Sequence, residues 1–267
     1  MNKIVGVDFT SAPKRDKRIT VAVCSLDREL QVGEILEFSD WPAYELWLGA
    51  EDAWIGGFDF PFGLPERFVK QQKWRSGWPE MVTNCVQGGK ESFVQLGMSA
   101  FMAAKSLEDK HRQTDLKSGS HSPLKTNTNP PVGRMFYEGA WRLLVHGIRI
   151  PQLNETGSGK IALEAYPGLL AKQIGFSQYK NDKPSNAKKN RKSRRDILRT
   201  LHAGTHPLGI RVRMPNAIRD RALGDGSGDV LDSILCATQA AWASRQTNFG
   251  MPKDVLTCEG WIVSAAA

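Results

Sequence analysis

Apolar and polar positions alternate most clearly at the amino end of the chain. In KIVGVDFTSAP, from Lys3 to Pro13, the β-branched residues Ile4, Val5 and Val7 predict a strand, and Gly6 admits a close neighbour. Arg18 to Ser25 alternates as a second strand, and the short polar PKRDK before it suits a tight antiparallel hairpin. Gln31 to Phe38 predicts a third strand. Trp41 to Ala50 then reads as a short helix, capped by Asp40 with Pro42 in its first turn. Ala53 to Asp59 is a fourth strand, stopped by Pro61 and Pro65, which cannot continue a ladder. A short connection through one helix predicts that this strand runs parallel to the first.

Strand rhythm then disappears. Glu91 to Lys105 and Arg134 to His146 carry apolar residues at helical spacing, so the segment of about 66–156 reads as a helical insertion. Between those helices, the polar, Pro/Gly-rich stretch Thr114 to Gly133 is expected to be an exposed loop. Lys160 to Tyr166 returns to strand pattern. Arg191 to His202 is expected to be helical, Val212 to Arg221 has no clear period, and Gly228 to Ala243 is a helix with one apolar stripe. Glu259 to Val263 suits a short closing strand. The expectation is a single α/β domain over residues 1–267, with a mixed sheet and a helical insertion between its fourth and fifth strands.

Composition narrows the class. The chain has 267 residues, 40% hydrophobic and 24% charged, which suits a globular protein rather than a disordered one. No apolar run approaches the ~20 residues needed to cross a bilayer, so no membrane partner is expected. Met1 leads straight into a strand without a signal-peptide pattern, and four widely spaced cysteines include no Cys-x-x-Cys pair. A cytoplasmic protein with reduced thiols is the expectation. The formal charge of +8 matters more once it is located: Lys180 to Arg195 holds eight Lys or Arg and one Asp, a net of +7. Such a block suits a polyanion, and Lys188, Lys189, Arg191, Lys192, Arg194 and Arg195 are candidates for nucleic-acid backbone contacts. A solvated loop and helix start is the plainer alternative.

Several carboxylates lie in apolar surroundings. Asp8 and Asp59 each close a core strand just before a forced turn; Glu164 sits inside KIALEAYP; Asp229 and Asp232 are three apart at a helix start. A buried charge costs several kcal/mol unless it is paired or holds a metal. Parallel neighbouring strands would bring Asp8 and Asp59 to the same sheet edge, where ligands of open α/β sheets bind. Four of these acids have an alternative: turn bonding for Asp8 and Asp59, an Arg of the insertion as partner for Glu164, helix-terminus stabilisation for Asp229; Asp232, beside the apolar stripe, is harder to dismiss. Taken together, clustered hard oxygen ligands favour Mg2+ or Mn2+, and a pair of such ions serves phosphodiester hydrolysis. Asp8, Asp59, Asp229 and Asp232 are the candidate metal ligands; Asp8, Asp59, Glu164 and Asp232 are the candidate catalytic residues. Weaker signals are Thr10 and Ser11 as phosphate donors, His202 and His206 as a metal pair, and Trp74 and Trp78 as base-stacking rings.

VGVDFTSAP, GFDFPFGLP, EAYP and DVLDSILCATQAAW, in that order, resemble the predicted nucleases called domain of unknown function 429. The resemblance implies a ribonuclease H-like fold: a mixed five-stranded sheet, its first three strands antiparallel, flanked by helices. It also implies that Asp8 is the first-strand acid, Asp59 the fourth-strand acid, and Asp232 with Asp229 the terminal-helix pair; Glu164 belongs to the family's own motif. A metal-dependent nuclease is the leading expectation. The alternatives are an actin-like nucleotide-binding phosphotransferase, against which Phe9 stands where such hairpins want Gly, and a non-catalytic nucleic-acid-binding module on the same fold.

Overall fold

The computed structural model describes residues 2–50, 52–75, 77–157 and 159–265. In chain order its elements are β1 (Asn2–Asp8), β2 (Ile19–Leu26), β3 (Leu30–Phe38), α1 (Trp41–Gly49) and β4 (Ile55–Phe58). The insertion supplies α2 (Glu66–Gln71), α3 (Trp78–Gln87), α4 (Lys90–Ala103), α5 (Leu107–Lys110), α6 (Gln113–Ser118) and α7 (Val132–Val145). Then come β5 (Ile161–Glu164), α8 (Pro167–Ile174), α9 (Ala187–Ala203), β6 (Val212–Arg213), α10 (Asn216–Gly224) and α11 (Asp229–Ala243).

The strands form one mixed sheet in the order β5-β4-β1-β2-β3-β6. β1, β2 and β3 pair antiparallel, while β4 runs parallel to β1 and β5 parallel to β4, as the short crossover requires. Side chains alternate between two cores because successive strand residues face opposite ways. Val5 and Val7 of β1 pack with Tyr44 of α1 and with Phe93 and Phe136 of the insertion. Ile4 faces the other way, with Leu170, Ile197, Ile234 and Ala237 of α8, α9 and α11. The sheet is therefore sandwiched, with the insertion and α1 on one face and the last four helices on the other.

Three expectations need correction. The sheet has six strands, not five: Val212–Arg213 adds β6 parallel to β3, and two residues are too few to show a period. Glu259 to Val263 is no strand. It makes one parallel bridge, Ile262 to Glu164, because Gly260 turns the backbone to φ +72°. Thr114 to Gly133 is not an open loop: it begins within α6, and Thr114, Asp115, Ser118, Ser122, Leu124 and Thr126 are buried. Its hydroxyls bond backbone, as when Thr126 Oγ1 donates to the Val94 carbonyl at 2.8 Å and Thr114 Oγ1 accepts from Ile262 N at 2.9 Å. A satisfied polar segment can be buried, which a hydropathy pattern does not reveal. No helix among the described residues is long and apolar enough to cross a membrane.

Candidate functional site

Two glycines set the position of α11. A Cβ on Gly6 of β1 would lie 2.0 Å from the Ser233 carbonyl oxygen, and one on Gly57 of β4 would lie 2.4 Å from that of Cys236. The helix backbone thus rests directly on the two central parallel strands. Its first turn reaches the edge where those strands end. Asp8 is the last residue of β1, and Asp59 follows β4, its amide still donating to the Val7 carbonyl at 2.9 Å. Asp232 comes down from α11. The oxygens of Asp8, Asp59 and Asp232 lie within 4.8 Å of one another.

Crowding and burial make protons harder to remove there. The Asp8 carboxyl is held well above its ordinary range, first by burial and then by the charges of Asp232, Asp229 and Asp59. Burial pushes Asp59 up to about 7, against the pull of Lys180. Asp229 is raised too, by burial and by Asp225. Asp232 is almost fully buried and has both oxygens engaged: Oδ1 accepts from the Tyr179 hydroxyl at 2.6 Å and Oδ2 from Lys180 Nζ at 2.5 Å. Tyr179 and Lys180 lie on the connection between α8 and α9. The inner face of α9 fixes that connection: Arg194 donates to the Tyr179 carbonyl at 2.7 Å, and Asn190 to the Lys180 carbonyl at 2.8 Å.

The family model described as protein of unknown function (DUF429) matches residues 6–256, a span that includes all three aspartates. The chain belongs to this family. No curated protein and no solved structure matches it.

In this DUF429 protein the expected site residues divide into those brought together and those left apart. Asp8, Asp59 and Asp232 converge. Asp229 is outside the close trio, although its charge is felt at Asp8. Glu164, expected as a catalytic carboxylate, is instead locked to the insertion. Its Oε1 accepts from Arg112 at 2.7 Å, and its Oε2 accepts from Arg112 at 2.8 Å and from the Phe62 amide at 2.9 Å. Arg112 also grips Asp115, and the arginine and both acids are buried. Of the six expected backbone-binding cations, Lys188, Lys189, Arg191, Lys192 and Arg195 are exposed on α9. Arg194 is not: it is 1% exposed, paired with Asp182 and with backbone carbonyls, and cannot reach a ligand.

The weaker signals dissolve. His206 is buried and bonds the Ile210 carbonyl, while His202 contacts Arg213, so they form no metal pair. Trp78 is core, its indole donating to the Phe62 carbonyl, and Trp74 packs edge-on against Phe68. Thr10 Oγ1 accepts from the Ala12 amide at 3.5 Å, the local turn bond. Lys180 and Tyr179 escaped sequence reasoning as site residues. Lys180 read only as one charge in a basic run, and nothing local marks a lysine that folds back onto an acid 52 positions later.

A cleft of about 370 Å³ opens beside the trio. Its base includes Asp59, Glu164 and Ala165, at the carboxyl ends of β4 and β5. A further concavity, of about 510 Å³ between α9, β6 and α10, contains none of the three clustered aspartates. The chemistry and the charge therefore point to the former.

Proposed function

We propose that this DUF429 protein is a metal-dependent nuclease, hydrolysing phosphodiester bonds of nucleic acid at Asp8, Asp59 and Asp232. The observation that carries the reading is the convergence of those three carboxylates within 4.8 Å at the carboxyl edge of parallel strands. The order β3-β2-β1-β4-β5, three antiparallel strands and then two parallel ones, agrees with a ribonuclease H-like sheet, and β6 extends only the far edge. Exposed lysines and arginines on α9, the helix that buttresses Lys180, supply a polyanion-binding face. Four buried free cysteines suit the reducing cytoplasm.

The donor set fits Mg2+ or Mn2+: hard carboxylate oxygens, close enough to share an ion, and otherwise crowded enough to retain protons. Asp8, Asp59 and Asp232 would hold it, with Asp229 adding to the local negative field. A bound divalent cation supplies Lewis-acid polarisation of the phosphodiester and promotes water as the nucleophile. The chain's own residues do the positioning. β1 and β4 fix two carboxylates in register, and α11 brings the third. Tyr179 orients Asp232 through its hydroxyl, and Lys180 offsets charge and faces the cleft, where it can meet a phosphate oxygen.

The test is Mn2+ titration by calorimetry on wild type and Asp8→Asn, followed by hydrolysis of labelled oligonucleotides. Wild type should bind Mn2+ saturably and cleave. Asp8→Asn should lose both while keeping its circular dichroism spectrum and thermal midpoint. A folded wild type that binds no Mn2+, even with an oligonucleotide present, would end the reading.

A further inference from the structure

The cleft beside the trio has two walls of different origin. Ser120, Pro130 and Met135 of the insertion form one; Tyr166, Lys172 and Lys180 of the β5–α8–α9 segment form the other. Its volume of about 370 Å³ lies near the lower end of small-ligand sites, roughly 300–1,000 Å³. That is room for about one nucleotide inside the cleft. Asp59 lines this space, so a nucleotide that enters the cleft whole to reach it does so with its base unpaired.

The wall residues suit such a guest. Tyr166 is half-buried at the cleft, its ring laid along the first turn of α8. A Cβ on Gly168 would come within 2.8 Å of that ring, so the bare glycine is what lets it lie there. A fixed, partly open tyrosine is a stacking platform that any base can use. Lys172 is exposed at the cleft and has no carboxylate partner among the described residues. Lys180 keeps 38% of its side chain exposed. Two cations and one ring beside an acidic base match the backbone and the base of one strand.

We propose that the cleft is a single-strand subsite: the protein takes nucleic acid one unpaired nucleotide at a time, the base stacked on Tyr166 and the backbone held by Lys172 and Lys180. This names the substrate class of the proposed nuclease and rests on that reading for the chemistry, but not for the binding. An unpaired nucleotide comes from a single strand or from a duplex opened at the cost of unstacking.

The experiment is fluorescence anisotropy of the full chain in EDTA, with a labelled 12-mer of dT, the same strand annealed to dA, and a 12-mer of U. Single-stranded dT should bind at least tenfold tighter than the duplex, and the dT and U arms distinguish DNA from RNA. Tyr166→Ala should weaken single-strand binding by roughly 5- to 150-fold, the worth of one stacked base. Tyr166→Phe should keep it, and Lys172→Glu, on the surface and without risk to folding, should weaken it too. Equal or tighter binding of the duplex, or single-strand binding indifferent to both Tyr166→Ala and Lys172→Glu, would overturn the proposal. Manganese-dependent cleavage of duplex with no single-strand preference would remove the subsite and leave the nuclease reading intact. Single-strand preference without any cleavage would do the reverse.

Discussion

Asp59 feels burial, Asp232 and Glu164 in one direction and Lys180 in the other, and burial is the largest influence. Its carboxyl moves from 3.8 to about 7 on folding. Between those values the unfolded chain has released the proton that the folded chain keeps, so stability falls as the pH rises through the window. Below it, both states are protonated and the residue contributes nothing; above about 7 the loss is complete. In EDTA, the thermal midpoint of wild type should decline across this range, and Asp59→Asn should decline less. Equal slopes would mean that the carboxyl is not raised. Glu164 poses a different question, because without it Arg112 would keep Asp115 but lose one of the two carboxylates that balance it. Glu164→Gln leaves a buried guanidinium half-compensated and should cost roughly 3–5 kcal/mol in denaturant unfolding. A loss of activity without that loss of stability would return Glu164 to the catalytic set.

At the scale of elements, the contact of α11 with the sheet decides whether the aspartates meet at all. Gly6→Ala puts a methyl group where the Ser233 carbonyl now lies, and backbone cannot yield as a side chain does. Overpacking of this kind should cost about 1–3 kcal/mol, and it should weaken Mn2+ binding by moving Asp232 away from Asp8; calorimetry and chemical denaturation check the two effects separately. Much at this scale was legible in the sequence. The β1–β4 order, the parallel return of β4 and the long final helix all follow from periods of 2 and 3.6 and from prolines that end strands. Asp8 and Asp59 were legible for the same reason, since a charge ending a core strand breaks the pattern. β6 was not, being too short to have a period. Nor was the burial of Thr114 to Thr126, whose polar groups find backbone partners that only the folded chain supplies. For Glu164 the alternative of an insertion arginine as partner was legible, but not which one, since a local sequence does not record that Arg112, 52 residues earlier, ends up against it.

Across the whole molecule, charge is distributed unevenly. The excess positive charge lies on α9, whose outer face carries Lys188, Lys189, Arg191, Lys192 and Arg195, while its inner face holds the Tyr179–Lys180 connection against the acids. Nucleic-acid binding should therefore weaken steeply with salt. For single strands, each phosphate contact removed should lower the slope of log affinity against log salt by about 0.7. Lys188→Glu combined with Lys192→Glu should reduce the slope measured by anisotropy, whereas an unchanged slope would assign the contacts elsewhere.

The Lys180–Asp232 contact has a consequence for stoichiometry. Once a metal has displaced their protons, the three aspartates and the Lys180 ammonium group would together carry a formal −2. One divalent cation would bring that to neutrality with Lys180 still in place. A second would leave the pocket positive, and a partly buried cavity resists uncompensated charge. Phosphate anions carried in on a strand would restore the balance. Electroneutrality thus ties the second ion to the substrate: the resting protein should hold one ion, and the full complement should assemble only around a bound polyanion.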